Sequence, residues 1–480
     1  MNMTKIILKK GREESLLRFH PWVFSGAIAQ IVGEPAEGDI VGVFASDGSF
    51  LAYGHYQIGS IAVRVLSFNG ENPTKPDFFR NMLSKALHLR IAAGLASLGH
   101  PDQTNDSHPD LRTDSHPDQT NDSHPDLRTD SHPEQTNDSH PDLRTDSHPE
   151  QATHLHPEQA TYRHSELDSV PAKNPVPGSV TNCYRLVHGE GDGLPGLIID
   201  FYDGVCVMQA HSVGMFRAKE AICNALKQIY GDSLKAVYDK SSGTAPFKAG
   251  LDLVDGYIYK ADGFSDDEQV VQENGHEFLV NWTEGQKTGF FLDQRENRLL
   301  TEKYSKGRNV LNLFCYTGGF SVYALGGGAV HVDSVDSSKK AIDMVSKNMS
   351  LNGFENSSHS EFCEDAMEYL AKVPEDKYDL MIVDPPAFAK HRGALSNALR
   401  AYQRLNAAAI SKVAPGGIIF TFSCSQVVDK EAFALAIFSA AAQTGRSVRI
   451  LDRLNQPADH AVNIYHPEGE YLKGLLLYVE

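Results

Sequence analysis

The sequence predicts an α/β protein. Residues 283–480 form a doubly wound, mostly parallel sheet, with a β-rich segment and a small α+β unit ahead of it. Three observations predict this. Strand-like apolar runs at 309–314, 329–335, 379–383, 417–422, 447–451 and 473–479 alternate with helix-period segments such as 339–351 and 395–413. That alternation builds a parallel sheet with ligands at the carboxyl ends of its strands. The run VLNLFCYTGGFSVYA (310–324) passes from strand to helix through Gly318 and Gly319 and is helical from Phe320. Finally, polar residues with chemical potential follow the strands. Asp336 follows the second, Asp365 (in EFCEDA) a weak third, Asp384 the run DLMIV, and Cys424 the run IIFTF.

Gly318 and Gly319 let the backbone turn sharply and approach a ligand, and the new helix offers unpaired N–H groups. Asp336 stands about 20 residues further on, where a carboxylate can hold both hydroxyls of a ribose. The pattern is not GxGxxG, which argues against a dinucleotide. A tight βα turn without any ligand would carry the same glycines.

At 480 residues the chain is too long for one core. Its hydrophobic content of 41% is ordinary for a soluble protein. No apolar run is long enough to span a membrane and no signal-peptide region opens the sequence, so a cytoplasmic protein is expected. The six cysteines lack metal-ligand spacing and read as reduced thiols, and no metal site is expected.

Residues 1–70 read as β-rich, with short runs at 40–44 and 61–66. Lys5, Lys9, Lys10, Arg12 and Arg18 lie beside the aromatics of HPWVFSGAI (20–28). Such interleaving suits RNA contact, and a small barrel core explains Trp22 and Phe24 equally well. Residues 78–98 are helical by period, with Met82, Leu83, Leu87, Ile91 and Leu95 on one face.

Residues 99–178 differ from everything around them. SHPDLRTD and SHPDQTND alternate from Ser107, and residues 100–168 hold ten of the 21 histidines. The same stretch has 16 acidic and four basic residues, so it carries −12 of the chain's −18. With almost nothing apolar to bury, it cannot offset its ordering entropy and is expected to be disordered. It reads as an expanded surface loop, with a histidine-rich metal- or partner-binding tract as the alternative. Order returns at Cys183, in a unit with a helix at 216–230 and strands at 236–239 and 276–282, before GQKTGFFLDQRENR (285–298).

In DPPAF (384–388) two prolines stiffen a strand end and hold an exposed carbonyl and carboxylate at the sheet's edge. A proline-terminated strand without chemistry would look alike. SCS (423–425) ends the neighbouring predicted strand. A lone cysteine is usually structural. Beside DPP and a ribose-type acid, Cys424 becomes a candidate nucleophile, because a thiolate can add to ring carbon 6 of a pyrimidine and make carbon 5 nucleophilic.

The set GQKTGFFLDQRENR, VLNLFCYTGGFSVYA, DSVDSS, DPPAF, FSCS and EGEYLKGLL resembles the class I S-adenosylmethionine-dependent methyltransferases that make 5-methylcytosine in 23S rRNA. HPWVFSGAI and GDIVGVFASDGSFLAYG resemble their PUA domain, and TNCYRLVHGEGDGLPGLIID their central domain. The resemblance implies a PUA-like RNA-binding domain at 1–70, a connecting helix at 71–98 and a small α+β central domain at 179–282. A Rossmann-like class I methyltransferase domain follows at 283–480. It further implies S-adenosyl-L-methionine as cofactor, 23S ribosomal RNA as partner, no membrane, and an open oligomeric state, a homodimer included. Asp336 would bind the ribose and Asp365 the adenine edge. Asn312 to Gly318, with Phe314 and Tyr316, would cradle the methionine part. Asp293 and Arg295 would line the cofactor pocket. Cys424 matches the nucleophile, with Asp384 beside it. Many RNA cytosine-5 methyltransferases carry a second cysteine where this chain has Pro386, so product release would fall to Asp384 or a water. Two alternatives remain. A guanine amino- or ring-nitrogen methyltransferase would share DPP but needs no cysteine. A non-catalytic RNA-binding factor has no use for intact acids at 336, 365 and 384.

Overall fold

The computed structural model describes residues 3–68, 70–96, 181–246 and 250–480. The repeat tract lies outside them. Met1–Gly99 and Val170–Glu480 form one compact unit.

A six-stranded sheet opens the chain: β1 (Lys5–Leu8), β2 (Trp22–Phe24), β3 (Ile28–Val32), β4 (Ile40–Phe44), β5 (Phe50–Tyr56) and β6 (Ile61–Ser67), with a one-turn helix α1 (Glu14–Leu17). Its order is β2-β6-β5-β4-β1-β3. In β2 the core residue is Val23, at 1% exposure. Period-two alternation turns its neighbours outward. Trp22 is half-buried and Phe24 is 48% exposed, so the barrel-core reading of these two aromatics does not hold. Trp22 instead donates its ring N–H to Glu190 at 2.8 Å, and Arg64 joins the same carboxylate at 2.9 Å.

Helix α2 (Phe78–Ala92) buries Phe78, Phe79, Leu83, Ala86 and Leu87 in the core of the next unit. That unit is a five-stranded sheet of β7 (Cys183–His188), β8 (Leu197–Tyr202), β9 (Val205–Ala210), β10 (Ala236–Asp239) and β11 (Gly256–Lys260), in sequential order. The helix expected at 216–230 is two: α3 (Val213–Arg217), capped by Ser212, and α4 (Lys219–Tyr230). They part at Ala218, whose N–H is shared between the carbonyls of Gly214 and Met215. Gly214 lies against the His55 ring so closely that a Cβ there would sit 2.2 Å from it. A hairpin, β12 (Glu268–Glu273) and β13 (His276–Asn281), follows. Its Val271, Phe278 and Val280 share a core with Val310, Val322 and Val345.

The last sheet has the order β16-β15-β14-β17-β18-β20-β19. Its first five members, β14 (Asn309–Leu313), β15 (His331–Asp336), β16 (His359–Cys363), β17 (Tyr378–Val383) and β18 (Val413–Ser423), run parallel. β19 (Val448–Asn455) and β20 (Lys473–Val479) complete it, with β20 antiparallel to both neighbours. Around the sheet lie α5 (Arg295–Ser305), α6 (Gly319–Gly326), α7 (Lys339–Leu351), α8 (Ala366–Lys372), α9 (Leu395–Lys412) and α10 (Lys430–Thr444). Ser338, Asp365 and Asp429 cap α7, α8 and α10 through side-chain bonds to backbone N–H groups, each worth about 1 kcal/mol. Strand order reverses between β15–β14 and β14–β17, which opens a crevice at the strands' carboxyl ends. Among the described residues no helix is long and apolar enough to cross a membrane, and no cluster could hold a metal ion. None of the six cysteines is in a disulfide.

Candidate active site

The crevice begins at the turn after β14. Phe314, Tyr316 and Gly318 all have positive φ, at 58°, 48° and 80°. The left-handed region is costly for the two aromatics, so the surroundings must hold them there. They do so through β15: Cys315 N–H donates to the Val335 carbonyl at 3.0 Å, and Tyr316 N–H to Asp336 Oδ2 at 3.0 Å. Asp336 Oδ1 takes the Ser338 N–H at 2.9 Å. A Cβ on Gly318 would press Val345 at 3.0 Å, and one on Gly319 would press the Arg298 side chain at 3.0 Å.

The turn walls a cavity of about 270 Å³. Aromatic rings of Phe290, Phe291, Phe314, Tyr316 and Phe320 face it, together with Asp336, Lys287, Asp293, Asp384 and Cys424. Asp293 is 6% exposed. Its Oδ2 accepts the Tyr471 hydroxyl at 2.6 Å, and its Oδ1 has no hydrogen-bond partner. Burial pushes its carboxyl up, but Lys287, His460 and the Tyr471 hydroxyl outweigh that and bring it down to about 2. Asp384 behaves oppositely: burial and the neighbouring Asp293 charge push it up to about 7. Gln294 holds it, donating to Oδ2 at 2.9 Å, while Asn297 Nδ2 donates to Gln294 Oε1 at 2.6 Å. Burial, then the Asp384 charge, pushes the Cys424 thiol up to about 11. The serines of SCS fasten its turn: Ser423 Oγ donates to the Tyr402 hydroxyl at 2.9 Å and Ser425 Oγ to the Ala389 carbonyl at 2.7 Å. The second of these bonds ties the Cys424 turn to the segment that follows DPPAF.

Asp293, Phe314, Tyr316, Asp336, Asp384 and Cys424 thus meet at one cavity. Four other candidates do not line it. Arg295, expected in its wall, is 1% exposed and turned into a bidentate pair with Asp459 at 3.0 and 2.9 Å. Asn312 is buried beneath the turn, donating to Ser321 Oγ at 2.9 Å. Gly318 shapes the turn as the residue before α6. Asp365, at the end of β16, is exposed and caps α8 through the N–H groups of Met367 and Glu368. Lys287, Gln294, Arg298 and Tyr471 also belong to the site, though the sequence singled out none of them. The first three sit inside the quoted run GQKTGFFLDQRENR, so the motif pointed at them as a block, but nothing in their spacing ranked them. Arg298 is paired in the interior with Glu273, at 2.7 Å twice, which ties α5 to the hairpin beside the cavity.

A doubly wound sheet with a left-handed turn, a carboxylate after the second strand and an aromatic cavity at its switch point is the architecture of a nucleotide-cofactor site. Residues 185–476 match the family model described as S-adenosylmethionine-dependent methyltransferase, and residues 6–68 match that of a PUA-like domain. Over 477 residues the chain is 34% identical to the protein named Ribosomal RNA large subunit methyltransferase I of Aeromonas hydrophila subsp. hydrophila, covering 98% of each. Its identity to the protein of the same name in Klebsiella pneumoniae (strain 342) is 33%, over 98% of this chain and 97% of that one. The solved structure of a SAM-dependent methyltransferase from Streptococcus mutans shares the fold at a TM-score of 0.69 and 19% identity, covering 99% of this chain and all of that one. The chain belongs to the S-adenosylmethionine-dependent methyltransferase family. S-adenosyl-L-methionine is its cofactor, and the residues present fit it. Asp293 Oδ1 is a buried anionic oxygen without a donor, suited to an ammonium group. The aromatic walls suit an adenine ring, and Asp336 ends the second strand, as a ribose ligand does.

Proposed function

We propose that the protein methylates carbon 5 of a cytosine in 23S ribosomal RNA through a covalent Cys424 adduct. The observation that carries this reading is the meeting of Cys424 with an Asp384 pushed up to about 7 in one cofactor cavity. S-adenosylmethionine supplies the methyl group and a positive charge. Neutral Asp384 donates to the ring nitrogen of the flipped cytosine, so that carbon 6 accepts electron density. The Cys424 thiolate forms a bond to carbon 6, and the electron pair it displaces toward carbon 5 would bond to the methyl group as that group's bond to the sulfonium sulfur breaks, its pair remaining on the now neutral sulfur. Asp384, left a carboxylate once its proton has passed to the ring nitrogen, or a water then takes the carbon 5 proton, the thiolate leaves as the ring double bond re-forms, and the ring nitrogen returns its proton to Asp384 or to water. Neutralising Asp384 also removes one of the two acid charges that, after burial, keep the thiol protonated. Asp336 binds the ribose, Asp293 the ammonium end of the cofactor, and Asp365 the adenine edge from the rim. The PUA-like domain holds the RNA; its exposed Phe24 and basic Lys9 and Arg18 support that role.

The test is methylation of 23S rRNA, isolated from a strain lacking this protein, with labelled cofactor. Digestion and mass spectrometry should find the label in 5-methylcytidine. Label in a guanosine would overturn the reading, because transfer to an amine or ring nitrogen needs no thiol.

Asp336→Ala should weaken cofactor binding roughly ten- to a hundredfold, the loss of about 1.5–3 kcal/mol for bonds to a charged group. The variant also frees the N–H groups of Tyr316 and Ser338. Calorimetry giving an unchanged affinity would reject Asp336 as the ribose ligand.

A further inference from the structure

The turn that carries Cys424 rests on a buried cation. Lys473 pairs with Ser423 across β18 and β20 and is 5% exposed. Its ammonium donates to the carbonyls of Ser425 at 2.6 Å and Val428 at 2.7 Å, one and four residues past Cys424. Among the described residues no carboxylate forms an ion pair with it. Two carbonyls can be satisfied by a neutral donor, so hydrogen bonding alone does not explain a charge buried at this cost. A charge is explained if an anion forms beside it.

We propose that Lys473 is a positioning residue for Cys424: it fixes the turn through Ser425 and Val428, and its charge stabilises the thiolate each time the thiolate forms. This rests on the reading of Cys424 as nucleophile. At neutral pH Lys473 stays an ammonium through the reaction and transfers no proton. Burial pulls it down to about 8; Cys424, Asp429 and Glu470 pull it back up, and Lys430 adds to the lowering. Facing Cys424 itself are Asp384 and Asp293, which oppose the thiolate, and Lys287, which favours it. Lys473, bonded to the carbonyls one and four residues past Cys424, adds a positive charge at the thiol's own turn. Its support is present below about pH 8 and fades as the lysine deprotonates above that.

The experiment needs no RNA. Alkylation of Cys424 by iodoacetamide is followed from pH 6 to 10 by peptide mass spectrometry in the full chain, with cofactor affinity measured in parallel to check the fold. Lys473→Gln keeps donors for both carbonyls and loses the charge; Lys473→Arg keeps the charge. Lys473→Gln should alkylate at least about tenfold more slowly at pH 7.5, equivalent to raising the thiol by about one pH unit. Lys473→Arg should stay within about threefold of wild type. Equal rates for Lys473→Gln and wild type would overturn the proposal, as would a Lys473→Arg variant that binds cofactor yet is as slow as Lys473→Gln. Should Lys473→Gln fail to fold, the wild-type profile decides: it should depart from a single titration near pH 8, and a one-step curve overturns the proposal. Failure of the nucleophile reading is seen separately, as absence of an adduct between wild type and 5-fluorocytosine RNA.

Discussion

With RNA carrying 5-fluorocytosine at the target position, the protein should form a complex that survives denaturation, and Cys424→Ala and Cys424→Ser should form none. Fluorine at carbon 5 leaves no proton to remove, so the adduct cannot resolve once the methyl group is in place. On ordinary RNA, Cys424→Ala should lose activity by a factor on the order of 10⁴ or more, as expected when a covalent nucleophile is removed. Cofactor affinity should hold, since Cys424 only borders the cavity. The pH profile carries a second signature. Asp384 must be neutral to donate, and in the free protein it loses its proton as pH rises through about 7. The rate per thiolate should therefore fall above that pH, and Asp384→Asn should erase that limb. Full activity in Cys424→Ala would leave nitrogen methylation as the remaining chemistry.

The parallel sheet was legible because its strands are buried on both faces and read as apolar runs. Tyr378–Val383 is buried at all but one position, and its sequence boundaries agree with the structure to one residue. The cavity was legible where chemistry follows a strand end: Asp336, Asp384 and Cys424 sit at the carboxyl edge because β15, β17 and β18 end there. Motif spacing did not reveal which way a side chain turns. In LDQR, Asp293 faces the cavity while Arg295, two residues on at the start of α5, points into the interior. Gln294, between them, turns to Asp384. The partner that draws Arg295 inward is Asp459, in a loop without period or motif, so nothing local forecast the pairing. Trp22 and Phe24 were ambiguous for a related reason. Alternation shows that both lie on the face opposite Val23, but not which face is the core.

Asp459 is also where the largest structural effect is expected. It is 0% exposed. Its carboxylate accepts both Arg295 guanidinium bonds and the Arg185 N–H at 2.9 Å, and its carbonyl accepts Arg90 at 2.7 Å. One loop residue thus joins α5, the central sheet and α2. Asp459→Ala leaves the Arg295 guanidinium, 1% exposed, with the exposed Glu296 as its one remaining ion-pair partner among the described residues and the Glu273 charge further off. Stranding a buried charge in this way costs about 3–5 kcal/mol, a large share of a typical folding free energy. Urea unfolding should show the loss as a lower midpoint, and Asp459→Asn, which still accepts bonds, should lose less. The effect has a defined pH dependence. Burial raises the Asp459 carboxyl, but His460 and Arg295 outweigh it and hold the group far below the usual carboxylate range. A carboxyl lowered on folding contributes stability above its unfolded value, about 3.9, and that stability is lost as pH falls toward the folded value. The gap between wild type and Asp459→Ala should therefore narrow as pH falls below about 4. Because α5 begins at Arg295, directly after Asp293 and Gln294, the same variant should weaken cofactor binding at neutral pH. An unfolding midpoint equal to wild type would show that Arg295 finds another partner, and that Asp459 does not hold these elements together.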